Sequence, residues 1–315
     1  MRDFLFVQNF VDNKFRSGLE INHENIAVEF QELLRTFSDE EFADILIFTG
    51  FIPDMYDHDS SEETLYTKMI EVIVTEWANR LGFKANYLKE KSSKEDINIT
   101  IGDKVIVADA KSFRLGRSQK APNTKDFIKL EDIKKWMTPY KNAIGGLVCY
   151  PCRHEWSKDS DAYLYCSTKE TPTVMLPYKY LSYILKAKEN FDTNDLIKLW
   201  EYDRIFPEKL SKKSITGNKV HYWSKINDEI IAITNTSKEQ FQEFMGKAEE
   251  IITECVIVNL KQLNDKIEEI KNRVIKEIET EDINTIRENY KSFKIDKETE
   301  EFVRIMRNIN NFRFN

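Results

Sequence analysis

The sequence predicts an α/β protein, a mixed sheet flanked by helices and set between largely helical N- and C-terminal regions. Three observations carry that reading. Apolar residues recur at helical spacing up to about Leu81, β-branched runs bounded by turn residues fill the middle, and from about Pro177 onward the pattern is helical almost throughout.

Taken in order, a helix is expected from Glu24 to about Phe37. A second starts at Ser38-Asp-Glu-Glu41, where the serine and the glutamate three residues later satisfy each other's backbone N–H groups. Ser60 or Ser61 opens another that runs to about Leu81, with Leu65, Met69, Val72, Ile73 and Trp77 at helical spacing. Strands follow near 83–88, 97–101 and 105–110, then a helix from about Lys129 to Met137, then strands near 145–150 and 162–167. Farther on, Val256, Leu260, Leu263, Ile267, Ile270, Val274 and Ile278 repeat at four- and three-residue steps, a stripe resembling a heptad seam. Such a stripe packs against its own domain or against a second copy. No repeat or low-complexity linker divides the chain, so a core over residues 1–185 and a mainly helical extension over 186–315 are expected to be continuous.

A chain of 315 residues, 41% of them hydrophobic, is long enough to bury a substantial core. No segment approaches the apolar length of a membrane span, and Met1-Arg-Asp-Phe-Leu-Phe-Val-Gln8 lacks the apolar stretch and small-residue cleavage site of a secretion signal. A cytoplasmic protein with no membrane partner is expected. The formal charge of −7 argues against a protein that coats DNA electrostatically. The way that charge is distributed argues the other way. Residues 104–141 carry ten Lys/Arg against four Asp/Glu, and residues 209–225 carry five lysines and no acid, so positive charge is concentrated beside one candidate site on an acidic body.

The four cysteines include the pair Cys149-Tyr-Pro-Cys152, with His154 and Cys166 downstream. A zinc site could be assembled from these, but no second paired knuckle exists, and Cys149 and Cys166 fall in strand-like runs where cysteine serves as a small core residue.

The candidate site lies in Lys104-Val-Ile-Val-Ala-Asp-Ala-Lys-Ser-Phe-Arg-Leu-Gly-Arg-Ser-Gln-Lys120. Asp109 and Lys111, two apart at the end of an apolar strand, project to the same face. Asp96 opens the preceding strand, and a turn at Gly102-Asp103 would bring it back beside Asp109. Two carboxylates able to hold a hard divalent cation, with a lysine alongside, are the equipment for metal-assisted phosphodiester hydrolysis. The triplet alone says little, because it recurs at Asp12-Asn-Lys14, Asp132-Ile-Lys134 and Glu269-Ile-Lys271. Only Asp109-Ala-Lys111 ends an apolar strand with a carboxylate in hairpin register, and a plain strand-end ion pair is the competing reading.

The run Val107-Ala-Asp-Ala-Lys-Ser-Phe-Arg-Leu115, the basic loop after it and Asn123-Thr-Lys-Asp-Phe127 resemble the active-site region of HindIII-type restriction endonucleases, of the PD-(D/E)xK superfamily. Weaker similarity extends through Ser60–Lys68 and Val174–Ile184. The loop from Gly116 to Asn123 is slightly longer here and carries Pro122, and Glu95 stands where the motif name has proline. The resemblance implies a restriction-endonuclease-like mixed sheet and a type II enzyme that uses Mg²⁺ to cut both strands of a short palindrome, AAGCTT being the site it suggests. It also implies a homodimer, double-stranded DNA as substrate and a cognate DNA methyltransferase as functional partner. Carried over residue by residue, Asp96 and Asp109 with the Ala110 carbonyl would hold the metal. Glu63, early in the helix before the sheet, is a candidate outer ligand, although acidic residues also favour helix N-termini through the helix dipole. Lys111 would stabilise charge, and Arg114, Arg117, Lys120, Asn123 and Lys125 would contact bases or phosphates. Two other readings stay open: a structure-specific or repair nuclease on the same core, and a non-catalytic DNA-binding protein.

Overall fold

The computed structural model of the chain describes residues 2–18, 21–87, 95–116, 130–152, 167–205 and 220–313. Three helices come first, α1 (Phe6–Arg16), α2 (His23–Arg35) and α3 (Asp39–Ile47). The Asn22 side chain caps α2. The reciprocal box expected at Ser38 is present: Ser38 Oγ accepts from the Glu41 N–H at 3.3 Å, and Glu41 Oε2 accepts from the Ser38 N–H at 2.8 Å. Helix α1 is not among the elements expected from the sequence. It has no side-chain cap, and of its apolar residues only Val7 and Val11 are buried.

After the short strand β1 (Phe51–Ile52) comes α4 (Ser61–Arg80), capped by Ser60 and buried along most of its length. Its last residue locks three helices together. Arg80 pairs with Asp39 at 2.7 Å, donates to the Leu34 and Phe37 carbonyls at 2.8 and 2.9 Å, and lies 4.5 Å over the Phe42 ring. These bonds tie the C-terminal end of α2 and the start of α3 to the end of α4.

The five-stranded sheet has the order β2 (Lys84–Tyr87), β3 (Ile97–Ile101), β4 (Lys104–Ala110), β6 (Ala143–Tyr150) and β7 (Thr173–Pro177). β2, β3 and β4 run antiparallel, and β4, β6 and β7 run parallel, so the sheet is mixed as expected. The turn between β3 and β4 pairs Ile101 with Lys104, and Gly102 takes the left-handed φ of +60° that such a tight turn demands. Helix α4 packs on β2, β3 and β4, while α5 (Leu130–Met137) packs on β4 and β6. Between β4 and α5 a short strand β5 (Phe113–Arg114) pairs in parallel with β1. Strand β7 is a further addition to the expected elements. Its five residues are all buried, which removes the alternation that marks a strand in sequence. Of the strand expected near 162–167, residues 162–166 lie outside the described residues.

Beyond the sheet come α6 (Tyr178–Lys186), 3-10 turns at Lys188–Asn190 and Thr193–Trp200, and helices α7 (Tyr202–Ile205), α8 (Val220–Ile233), α9 (Lys238–Thr280) and α10 (Ile283–Arg313). The chain divides into two compact units, residues 1–259 and 260–315. The first holds the sheet and the buried core; within it α9 buries Phe241, Ala248, Ile251, Ile252 and Cys255. In the second, Leu260, Ile267, Ile270, Val274 and Ile278 of the expected seam are between 41% and 55% exposed. Among the described residues no helix is long and apolar enough to cross a membrane.

Candidate active site

The parallel strands β4, β6 and β7 end side by side, with Ala110 opposite Cys149 and Tyr150 opposite Pro177. Sites in α/β sheets gather at such carboxyl ends, where successive strands deliver side chains to one place. Asp109 is 8% exposed in β4, and the Lys111 ammonium sits 2.6 Å from its Oδ2. The hairpin register, Ile97 opposite Ala108, sets Asp96 across from Asp109. Asp96 Oδ2 accepts from the Ala110 N–H at 3.1 Å, and its carboxyl is also hydrogen-bonded to Asp109. The structure therefore brings together Asp96, Asp109, Ala110 and Lys111.

The electrostatics follow from placing these groups together in a largely buried corner. Burial, the Asp109 charge and the charge of Glu71 push the Asp96 carboxyl well above the usual carboxylate range. Burial pulls the Lys111 ammonium down, but the adjacent Asp109 more than offsets it, so the lysine stays charged. Glu71 is the residue that sequence reasoning missed. It lies in α4 about 12 Å along the axis from Glu63 and is ion-paired with Lys68. A signal existed: Met69-Ile-Glu-Val-Ile-Val74 is apolar but for this glutamate, and a charge in a helix buried nearly all round must face something polar.

A sequence model of the family described as HindIII restriction endonuclease matches residues 14–299. The chain belongs to the HindIII restriction endonuclease family. No curated protein matches it. Membership makes the protein a site-specific nuclease acting on DNA, and the match spans the β3–β4 hairpin, α4 and most of the helical C-terminal region.

The remaining expected residues of this HindIII-family chain are placed as follows. Glu63 lies in the first turn of α4 and accepts from the Asp59 N–H at 2.8 Å and from Arg114 at 3.0 Å. Arg114 turns its guanidinium to the preceding loop, donating to the Pro53, Tyr56 and Asp57 carbonyls at 3.1, 2.7 and 3.3 Å. These bonds tie the two residues to each other and to the loop before α4, so together they fasten the start of the basic loop to residues 53–63. Gly116 adds to this fastening, its N–H meeting both Asp54 carboxylate oxygens at 3.2 Å. Arg117, Lys120, Asn123 and Lys125 lie outside the described residues. So do His154 and Cys166, while Cys149 and Cys152 are fully buried and burial pushes the Cys149 thiol up, as for a core residue. Of the second lysine cluster, Lys209, Lys212, Lys213 and Lys219 lie outside the described residues, and Lys225 is paired with Glu229 at 2.7 Å.

Whether these residues fit a divalent cation is decided by their donor chemistry. Among the described residues no three His, Cys, Asp or Glu side chains converge closely enough to hold a metal ion by themselves. Mg²⁺ does not require that, because it keeps several waters and binds through one or two carboxylates together with substrate phosphate. Asp96 and Asp109, set across from each other at the end of the hairpin, supply carboxylate oxygens of the type such an ion takes, with the Lys111 ammonium 2.6 Å from Asp109.

Proposed function

We propose that the protein is a Mg²⁺-dependent type II restriction endonuclease that cuts both strands of a short palindrome and leaves 5′-phosphate and 3′-hydroxyl ends. AAGCTT is the site the family suggests. The observation that carries the reading is the Asp96–Asp109 pair, Asp109 buried and Asp96 partly so, with the Lys111 ammonium 2.6 Å from Asp109 at the carboxyl ends of the parallel strands.

Asp96, Asp109 and the Ala110 carbonyl would hold Mg²⁺, with Glu63, and Glu71 whose charge acts on Asp96, as candidate outer carboxylates. When bound, the ion supplies polarisation of the phosphate and lowers the pKa of a water. Lys111, kept protonated by Asp109, donates to the attacking water or to a phosphate oxygen and stabilises the negative charge that builds on the pentavalent phosphorus. The low exposure of Asp109 keeps the local dielectric low, so that a fixed ammonium acts more strongly there than in water. Arg117, Lys120, Asn123 and Lys125 would contact phosphates and base edges, and Arg114 would serve that loop by anchoring its start.

Cutting both strands of a palindrome calls for a two-fold homodimer with one site per subunit. The exposed apolar stripe of residues 260–278 supports that assembly, as does the length of helix available to present it. Residues 1–185 would form the nuclease core and 186–315 the extension for DNA binding or dimerisation. A cytoplasmic location and a partner methyltransferase that protects the host's own sites complete the reading. The test is a digest of long DNA of known sequence in Mg²⁺. Discrete fragments sharing one palindrome at their ends support it. Nicking or cutting only at branches would favour a structure-specific nuclease, and no hydrolysis at all would favour a DNA-binding protein.

A further inference from the structure

Lys111 lies one residue beyond the end of β4, where the sheet no longer fixes the backbone on both sides. Its N–H still reaches the parallel neighbour, donating to the Cys149 carbonyl at 2.8 Å. Its carbonyl is met from elsewhere. The Tyr178 hydroxyl, on the first residue of α6, donates to it at 2.8 Å. We propose that Tyr178 is a positioning residue for Lys111, acting through the Lys111 carbonyl.

Tyr178 is placed for this by the topology. β7 is parallel to β6 and ends at Pro177, opposite Tyr150, so the residue that follows emerges at the same end of the sheet as Lys111. Its side chain is fully buried, and a buried phenol requires a hydrogen-bond partner. The seat of the ring is equally specific. Gly50 has φ +93°, and a Cβ there would fall 2.7 Å from Tyr178 Cε2, so only glycine lets the ring lie where its hydroxyl meets Lys111. Gly50 is itself tied to the catalytic segment, because its carbonyl accepts from the Phe113 N–H at 2.9 Å. The main chain of residues 111–113 is thus held by Cys149, Tyr178 and Gly50. A lysine side chain has four rotatable bonds, so its ammonium is placed only as well as its backbone is. Freed from Tyr178, the segment from Lys111 to Phe113 loses one of its three tethers, and the Lys111 Cα, with its ammonium, can shift away from Asp109.

This inference rests on Lys111 being the catalytic lysine, and the experiment separates the two. Tyr178→Phe keeps the ring on Gly50 and deletes only the hydroxyl. Tyr183→Phe, in the same helix, deletes a hydroxyl bonded instead to Thr236 and serves as the matched control. Single-turnover cleavage of long DNA of known sequence in Mg²⁺, duplex binding in Ca²⁺ and the thermal midpoint are measured for both and for Lys111→Ala. Tyr178→Phe is expected to lose roughly 10²-fold in cleavage rate, the scale of a misplacement of about 1 Å, with duplex binding unchanged. Tyr183→Phe is expected to lower the thermal midpoint comparably and to cleave at the wild-type rate. Wild-type cleavage by Tyr178→Phe, or a parallel loss in Tyr183→Phe, overturns the proposal while leaving Lys111 in place. Wild-type cleavage by Lys111→Ala instead overturns the reading of the site on which it rests.

Discussion

At the scale of single residues the proposed chemistry rests on three side chains. Asp96→Ala and Asp109→Ala remove the carboxylates, and Lys111→Ala removes the ammonium that answers charge on phosphorus. Each is expected to lower the cleavage rate by about 10²–10³-fold or more, on the scale seen when one electrostatic contact to a transition state is deleted. Lys111→Ala should still bind its duplex, which a filter or fluorescence assay in Ca²⁺ would check; loss of binding would mark the lysine as a DNA contact. Glu71→Gln keeps the shape of α4 and removes a charge that raises the Asp96 carboxyl. Half-maximal cleavage should then require more Mg²⁺, and an unchanged Mg²⁺ dependence would exclude Glu71 from the site. The hairpin trio was legible in the sequence because its geometry is local: residues two apart in a strand share a face, and a two-residue turn fixes the register. Glu71 and Tyr178 were not, since their roles depend on how α4 is rotated on the sheet and on where parallel strands end.

Elements were legible where their ends announce themselves. The Ser38–Glu41 box and the Ser60 cap marked α3 and α4, and both helices begin there. Ser38→Ala should cost about 1 kcal/mol of stability by urea titration, the usual worth of a cap; an unchanged midpoint would show the box to be redundant. Helix α1 and strand β7 lacked such marks, the first uncapped and the second apolar throughout. Gly50, between α3 and β1, is an element boundary of another kind. Gly50→Ala forces a side chain into the left-handed region, at about 1–3 kcal/mol, and against the Tyr178 ring, so its thermal midpoint should fall clearly. Helices α7 and α8 are joined by charge, Arg204 and Lys225 flanking Glu229 at 2.8 and 2.7 Å. Burial raises the Glu229 carboxyl, but the Lys225 and Arg204 contacts override it and hold it below the ordinary glutamate value. A depressed carboxylate contributes stability above its unfolded pKa and loses it as pH falls through the folded one. Glu229→Gln should therefore flatten the loss of stability on the acid side of the ordinary glutamate pKa, while a wild-type acid profile would show the pair to be inert.

The whole molecule joins an acidic body, a local basic concentration in the sequence that follows the β3–β4 hairpin, and an exposed apolar stripe on residues 260–278. A symmetric enzyme on a palindrome requires that stripe or another surface to join two copies. Sedimentation at micromolar concentration should give a dimer, and Ile267→Glu with Ile270→Glu should shift it toward monomer if the stripe is the seam. A dimer unaffected by both changes would move the interface elsewhere, and a monomer both free and on its duplex would contradict the symmetric mechanism. Everything at this scale depends on Asp96, Asp109 and Lys111 forming a metal-dependent centre that cuts DNA at a defined sequence. The decisive experiment is a digest of long DNA of known sequence, wild type beside Asp109→Ala, with Mg²⁺ and with EDTA. Discrete fragments with 5′-phosphate ends are expected from the wild type in Mg²⁺, and intact DNA in the other lanes. Fragments produced equally by Asp109→Ala, or by the wild type in EDTA, would contradict that centre.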